Sequence, residues 1–225
     1  MGSRAILSRR EVLGGRPSRV DDLRRLWLLD SVSEVLHLKP APDAPAPTHT
    51  ALIASVPAAE PVVAEHRQRL DAAATWGIPA HVTVLYPFVD PLGVDEEILV
   101  LVAQAVTRVP AFECSFARCQ WFGQDVLWLD PDPAQPFREL TTAVSRVFPQ
   151  HPPYGGAHHD VVPHLTVAER RMADLAAVRT ADQAVQLKLP VHARIDCVQL
   201  IAGTQAPNSW RVLHEFSLAA TQNVR

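Results

Sequence analysis

The sequence predicts an α+β fold built from two pseudo-symmetric lobes, each with an antiparallel sheet. Two observations predict it. Strand-like and helix-like runs follow one another in mixed order with several hairpins, which favours antiparallel over parallel sheets. The tetrad His-x-Thr-hydrophobic occurs twice, as His81-Val82-Thr83-Val84 and His164-Leu165-Thr166-Val167, 83 residues apart and each inside a strand-like run.

Residues 1–47 stand apart as an N-terminal extension with a polar, Arg-containing start. Val20 to Leu38 reads as an amphipathic helix with Leu23, Leu26, Trp27, Val32, Val35 and Leu36 on one stripe and Asp21 and Asp22 near its N-terminus. The proline-rich run from Pro40 to Pro47 is a linker, and a loosely ordered extension is the alternative. The domain proper, 48–225, then opens with a strand near Ala51–Val56 and a helix near Pro61–Thr75. Gly77-Ile-Pro79 leads into the first motif strand, His81–Phe88, followed by a helix over Asp95–Val109. A strand at Phe112–Phe122 and another at Asp125–Leu129 form a hairpin about Gln124-Asp125, and Pro136–Phe148 is helical. The loop 149–163, containing Pro152-Pro153-Tyr154-Gly155-Gly156, delivers the second motif strand near Val162–Ala168. A helix at Met172–Ala184, a strand pair within Val185–Ala202 and a strand at Trp210–Leu218 complete the set.

Composition narrows the function classes. In 225 residues, 48% are hydrophobic and 20% charged, enough for a sizeable core. A net charge of −3 argues against nonspecific coating of nucleic acid, which needs many cations against phosphates, but allows a small or terminal phosphate. Cys114, Cys119 and Cys197 are odd in number and not in paired CxxC spacing, so neither a disulfide framework nor a thiolate metal site is expected. No segment approaches the roughly 20 apolar residues of a membrane span. A cytoplasmic setting is expected.

The tetrads carry the chemistry. Side chains alternate on a strand, so His81 shares a face with Thr83, and His164 with Thr166, while Val82 and Leu165 turn into apolar packing. Residues two apart are separated by roughly 6.5–7 Å, so one phosphate between the strands can meet both imidazoles and both hydroxyls. A histidine on a half-buried strand is, taken singly, more often a core residue than a catalyst. Two identical arrangements in similar contexts reverse that expectation.

With their flanks, Pro79-Ala-His-Val-Thr-Val-Leu-Tyr-Pro-Phe88 and Pro152-Pro-Tyr-Gly-Gly156 ahead of Val162-Pro-His-Leu-Thr-Val167, these motifs resemble the two-histidine (2H) phosphoesterase superfamily, in its 2′-5′ RNA ligase and cyclic phosphodiesterase branch. The resemblance covers roughly Thr48 to Leu218. It implies a bilobal fold with helices on the outer faces and a cleft between the lobes holding both motifs. It also implies a phosphodiesterase that opens 2′,3′-cyclic phosphates of RNA ends or small nucleotides to 2′-phosphates, with 2′-5′ ligation as the reverse.

The chemistry agrees. Ring opening needs a base to activate water and an acid for the departing ribose oxygen, and histidine holds either state near neutral pH. Thr83 and Thr166 can donate to the nonbridging oxygens, so no metal or other cofactor is required. Which histidine is base and which acid is not legible.

Candidates for substrate contact are less sharply marked. Strict alternation puts Tyr86 opposite His81, where it is core or substrate-facing. Tyr154 either stacks on a base or braces the Gly155-Gly156 turn. Arg170 and Arg171 follow Val167-Ala-Glu, where related proteins often carry a basic residue for phosphate, and Glu169 departs from the commoner pattern. Trp76, Trp121, Trp128 and Trp210 read as buried. Two competing functions keep part of this picture. One is a metal-dependent hydrolase using His158-His159-Asp160 with His164, weakened by its loop spacing. The other is a binding module of the same fold without turnover, against which both complete tetrads count. The expected partners are RNA ends or small nucleotides, with no membrane, and the expected state is a monomer.

Overall fold

In the computed structural model the described residues are 46–157 and 160–220. The expected helix at 20–38 and most of the linker lie outside them. From Ala46 the chain runs through β1 (His49–Ser55), α1 (Glu60–Leu70), the short α2 (Ala72–Thr75), β2 (His81–Leu85) and α3 (Glu96–Val106). It continues through β3 (Phe112–Phe122), β4 (Val126–Asp132), α4 (Gln135–Val147), β5 (Leu165–Glu169), α5 (Leu175–Gln186), β6 (Val191–Ile195), β7 (Cys197–Gly203) and β8 (Arg211–Ser217).

Two antiparallel four-stranded sheets result, in the orders β2-β1-β7-β8 and β5-β4-β3-β6. The motif strands β2 and β5 are each an edge of their sheet and approach one another across the two. The expected pairing within 185–202 is not formed. β6 hydrogen-bonds to β3 and β7 to β1 and β8, so the chain passes from one sheet to the other at Asp196. The periodicity of two consecutive strands is the same whether they pair or part, which is why the sequence reading joined them.

The helices begin where short acidic side chains satisfy free backbone donors. Asp95 accepts from the Ile98 N–H at 2.9 Å and Asp174 from the Ala177 N–H at 2.8 Å. The single helix expected over 61–75 is broken at Asp71, whose backbone is extended (φ −128°, ψ 118°) and whose carboxylate accepts from the Ala73 N–H at 3.0 Å to start α2. The main core joins residues of both sheets to the apolar faces of the longer helices, with Phe116, Phe137, Leu127, Leu129, Leu165 and Leu200 fully buried. A smaller cluster of Ala51, Ile53, Ile78, Ile201 and Trp210 sits on the opposite face of β1 and β7. No helix among the described residues is long and apolar enough to cross a membrane.

Both tetrads end in the same irregularity. In the β1–β2 ladder Ile53 pairs with Thr83 and Leu52 with Leu85; in the β4–β5 ladder Trp128 pairs with Thr166 and Leu127 with Ala168. Val84 and Val167 are thus the extra residues of two equivalent bulges. Burial follows suit: Val82, Val84 and Leu85 are buried, as are Leu165, Val167 and Ala168, with Thr83, Tyr86, Thr166 and Glu169 partly open.

Candidate functional site

The two motif strands line one cavity of about 350 Å³ with His81 and Thr83 from the first sheet and His164 and Thr166 from the second. The histidines are held in the same way. His81 Nδ1 lies 2.7 Å from the Pro79 carbonyl oxygen and His164 Nδ1 lies 2.7 Å from that of Val162, in each case two residues upstream. A carbonyl only accepts, so each Nδ1 carries the proton and each neutral ring has Nε2 left as its basic nitrogen.

Both imidazoles are held neutral, by different surroundings. Burial, reinforced by the Arg67 cation and by His164, pulls His81 down to about 3 against the opposing pull of its carbonyl partner. Burial also lowers His164, whose ring meets Phe122 edge-on at 5.0 Å and Trp128 at 5.9 Å. Arg67 is itself 2% exposed and bound to Asp71 at 2.9 Å, with Asp71 at the cavity wall. This pair lay outside the sequence reading; its i,i+4 spacing on a helix was the available signal. Burial raises the Asp71 carboxyl despite Arg67.

Tyr86 is turned into the cavity, contrary to strict alternation, because the bulge at Val84 resets the faces beyond Thr83. Tyr154 braces the loop and reaches the site as well. Its N–H donates to the Tyr86 carbonyl at 2.7 Å and its hydroxyl is hydrogen-bonded to Thr83, while its own backbone takes a left-handed conformation (φ 52°, ψ 33°).

The two arginines separate. Arg171 lines the cavity and is paired with Glu169 at 2.9 Å, whereas Arg170 donates its N–H to the Asp125 carbonyl and lines neither cavity beside His164. The Arg170 guanidinium has a nitrogen buried without a hydrogen-bond partner. Glu169 also accepts from the Ala72 N–H at 3.2 Å, tying the end of β5 to the start of α2.

Trp76 and Trp210 form part of the cavity wall, so burial alone does not describe them. Trp210 donates its indole N–H to the Thr204 carbonyl at 2.7 Å, and a side chain at Gly203 would come within 2.5 Å of its ring, which is why glycine ends β7. Trp121 instead donates to Asp182 at 2.9 Å, away from the histidines, and Trp128 is buried behind His164. His158 and His159 lie outside the described residues. Among the described residues no three His, Cys, Asp or Glu side chains are grouped to hold a metal, and the three cysteines are free thiols.

Two antiparallel sheets, each presenting a His-x-Thr edge strand to a shared cavity, define the 2H phosphoesterase class. The chain belongs to the 2′-5′ RNA ligase superfamily, whose family model matches residues 54–206. Its fold is similar to that of Escherichia coli LigT crystallised with 3′-AMP, at 17% identity over 77% of this chain and 99% of that one, with a TM-score of 0.52. It is likewise similar to TT0787 of Thermus thermophilus, at 16% identity over 77% and 100% of the two chains and a TM-score of 0.52. No curated protein matches the chain by sequence.

Proposed function

We propose that the protein opens 2′,3′-cyclic phosphates of RNA ends or small nucleotides to 2′-phosphates without a metal, with His81 as general base and His164 as general acid. The observation that carries this reading is the matched pair of 2.7 Å contacts from Nδ1 to a backbone carbonyl, which leaves two Nε2 atoms for proton transfer in one cavity. His81 is the base because the buried Arg67 cation behind it disfavours its imidazolium. Its Nε2 takes a proton from water as the water oxygen bonds to phosphorus. Thr83 and Thr166 donate to the nonbridging oxygens. The bond to the ribose 3′-oxygen breaks, and His164 Nε2 delivers the proton that this oxygen needs. A phosphate monoanion beside His164 favours its protonated form and so loads the acid.

With the 5′-hydroxyl of a second strand in place of water, the same displacement bonds that oxygen to phosphorus as the 3′-oxygen departs and forms a 2′-5′ link, and water at high concentration favours hydrolysis. The nucleotide in E. coli LigT supports a nucleotide ligand for this fold. A cytoplasmic monomer acting on RNA ends or small nucleotides is the setting this reading implies.

The test is incubation in EDTA with nucleoside 2′,3′-cyclic phosphates and with an RNA carrying a cyclic-phosphate end, comparing wild type, His81→Ala and His164→Ala. Opening to the 2′-phosphate, lost in both variants, is expected. Activity only with added metal, or activity surviving both substitutions, would overturn the mechanism. Binding without product by folded wild type would make the protein a binding module.

A further inference from the structure

The cavity between the motif strands shares lining residues with two others. A second cavity, of about 510 Å³, shares Tyr154, His164, Thr166 and Glu169 with it and extends to Asp160 and Val162. Those last two residues also line a third cavity, of about 760 Å³, whose opposite wall is a face of α4. Val162 joins these cavities to the chemistry directly, since its carbonyl holds His164 Nδ1.

The α4 wall is built differently from the rest. Arg138, Thr142, Ser145 and Arg146 stand at i, i+4, i+7 and i+8, a single helical face. Neither arginine forms an ion pair among the described residues, and both are exposed. Ser145 Oγ is buried with no hydrogen-bond partner in the protein, although buried hydroxyls are ordinarily satisfied. Among the described residues Asp160 is the one acid in this lining, so they bring two positive charges against one negative. By contrast, the charged side chains around the histidines are matched, Arg67 with Asp71 and Arg171 with Glu169.

Resting on the reading above, we propose that the α4 cavity binds the phosphodiester backbone of an RNA chain on the 5′ side of its cyclic-phosphate end. The preferred substrate is then an oligoribonucleotide terminus rather than a free nucleoside cyclic phosphate. A cyclic phosphate closes the 3′ end of a chain, so everything further along the substrate runs 5′ from the histidines. The three cavities lie side by side away from the histidines, and the outermost presents two guanidinium groups without an ion pair among the described residues and a hydroxyl suited to phosphate oxygens. A mononucleotide at the histidines has no phosphate to offer them.

The experiment compares kcat/KM for a nucleoside 2′,3′-cyclic phosphate and for a hexaribonucleotide ending in the same cyclic nucleotide, using wild type and an Arg138→Ala/Arg146→Ala double variant shown to be folded by circular dichroism. Wild type is expected to favour the hexamer by about tenfold or more at low salt. The double variant should lose that preference while turning over the mononucleotide within about twofold of wild type. The slope of log kcat/KM against log salt for the hexamer should shrink by about 1.4, from roughly 0.7 per phosphate contact on a single strand. Equal rates on both substrates, or a preference that survives the double substitution, would overturn the inference and leave the catalytic reading intact. If folded wild type turns over neither substrate, the catalytic reading fails. Fluorescence anisotropy with a labelled 2′-phosphate-ended hexamer then decides the α4 site alone: binding weakened in the double variant supports it, and unchanged or absent binding overturns it.

Discussion

Tyr86 and Glu169 occupy equivalent places, each the third residue after its motif threonine and each turned into the cavity by a bulge at the intervening valine. One position holds an aromatic ring and the other an anion. The anion occupies Arg171 and faces whatever phosphate lies between the histidines.

Glu169→Ala frees Arg171 and removes that anion. We expect inhibition by the 2′-phosphate product, a dianion above its second ionisation, to tighten by roughly threefold or more at pH 8, a shift below 1 kcal/mol as befits a partly exposed pair. Loss of the bond to the Ala72 N–H is expected to lower stability by about 0.5–1.5 kcal/mol, read by urea unfolding. Unchanged product inhibition would show that this carboxylate does not govern the charge of the bound phosphate.

The two histidines are distinguishable by leaving group. Each alanine substitution is expected to cost about 10²–10⁴-fold on a ribose cyclic phosphate. With a p-nitrophenyl phosphodiester, whose leaving oxygen needs no proton, His164→Ala should regain most of its rate and His81→Ala should not. The opposite pattern would exchange the two roles.

Acid should destabilise the fold through His81. An unfolded chain protonates this imidazole near its ordinary value of 6.5, whereas the folded chain resists until about 3. The stability it contributes is complete above 6.5 and is lost as pH falls from 6.5 towards 3, at up to about 1.4 kcal/mol per pH unit. His164, also lowered, adds in the same sense; Asp71, raised, opposes it in the carboxylate range. Melting followed from pH 7.5 to 5 should fall more steeply for wild type than for His81→Gln. The proposed mechanism calls for one neutral and one protonated ring in the free protein, so kcat/KM should peak on the acid side of 6.5.

Tyr154→Phe removes only the hydroxyl bound to Thr83. A net hydrogen bond of about 0.5–1.5 kcal/mol predicts a two- to tenfold fall in kcat with little change in melting temperature, since the ring and the backbone bond to Tyr86 remain. A large loss of stability with unchanged kcat would mean that this hydroxyl braces the loop instead of aligning Thr83.

Much of this was legible from the residues. The bounds of β3, the start of a helix at Asp95 and the common face of each His-x-Thr pair follow from hydrophobic periodicity. The bulges were not, because Val84 and Val167 look like ordinary strand residues; a two-residue period carried past them puts Tyr86 on the wrong face. Asp71 ended a helix early by a pairing with Arg67 and Ala73 that only the folded chain brings together. Trp76 and Trp210 carry a composition signal for burial, and a cavity wall is a kind of burial that composition does not distinguish.

The return of the chain at Asp196 has a further meaning for synthesis. The second sheet is a continuous stretch, 112–195, set between β2 and β7 of the first. Strand β1, made early, waits for β7 on one side, and β8 closes that sheet last. A ribosome-bound chain can complete the sheet bearing His164 while the one bearing His81 still lacks half its strands. The cavity that His81 and His164 share draws part of its wall from Ile201, Gln205 and Trp210, so it is complete only once both sheets have been made.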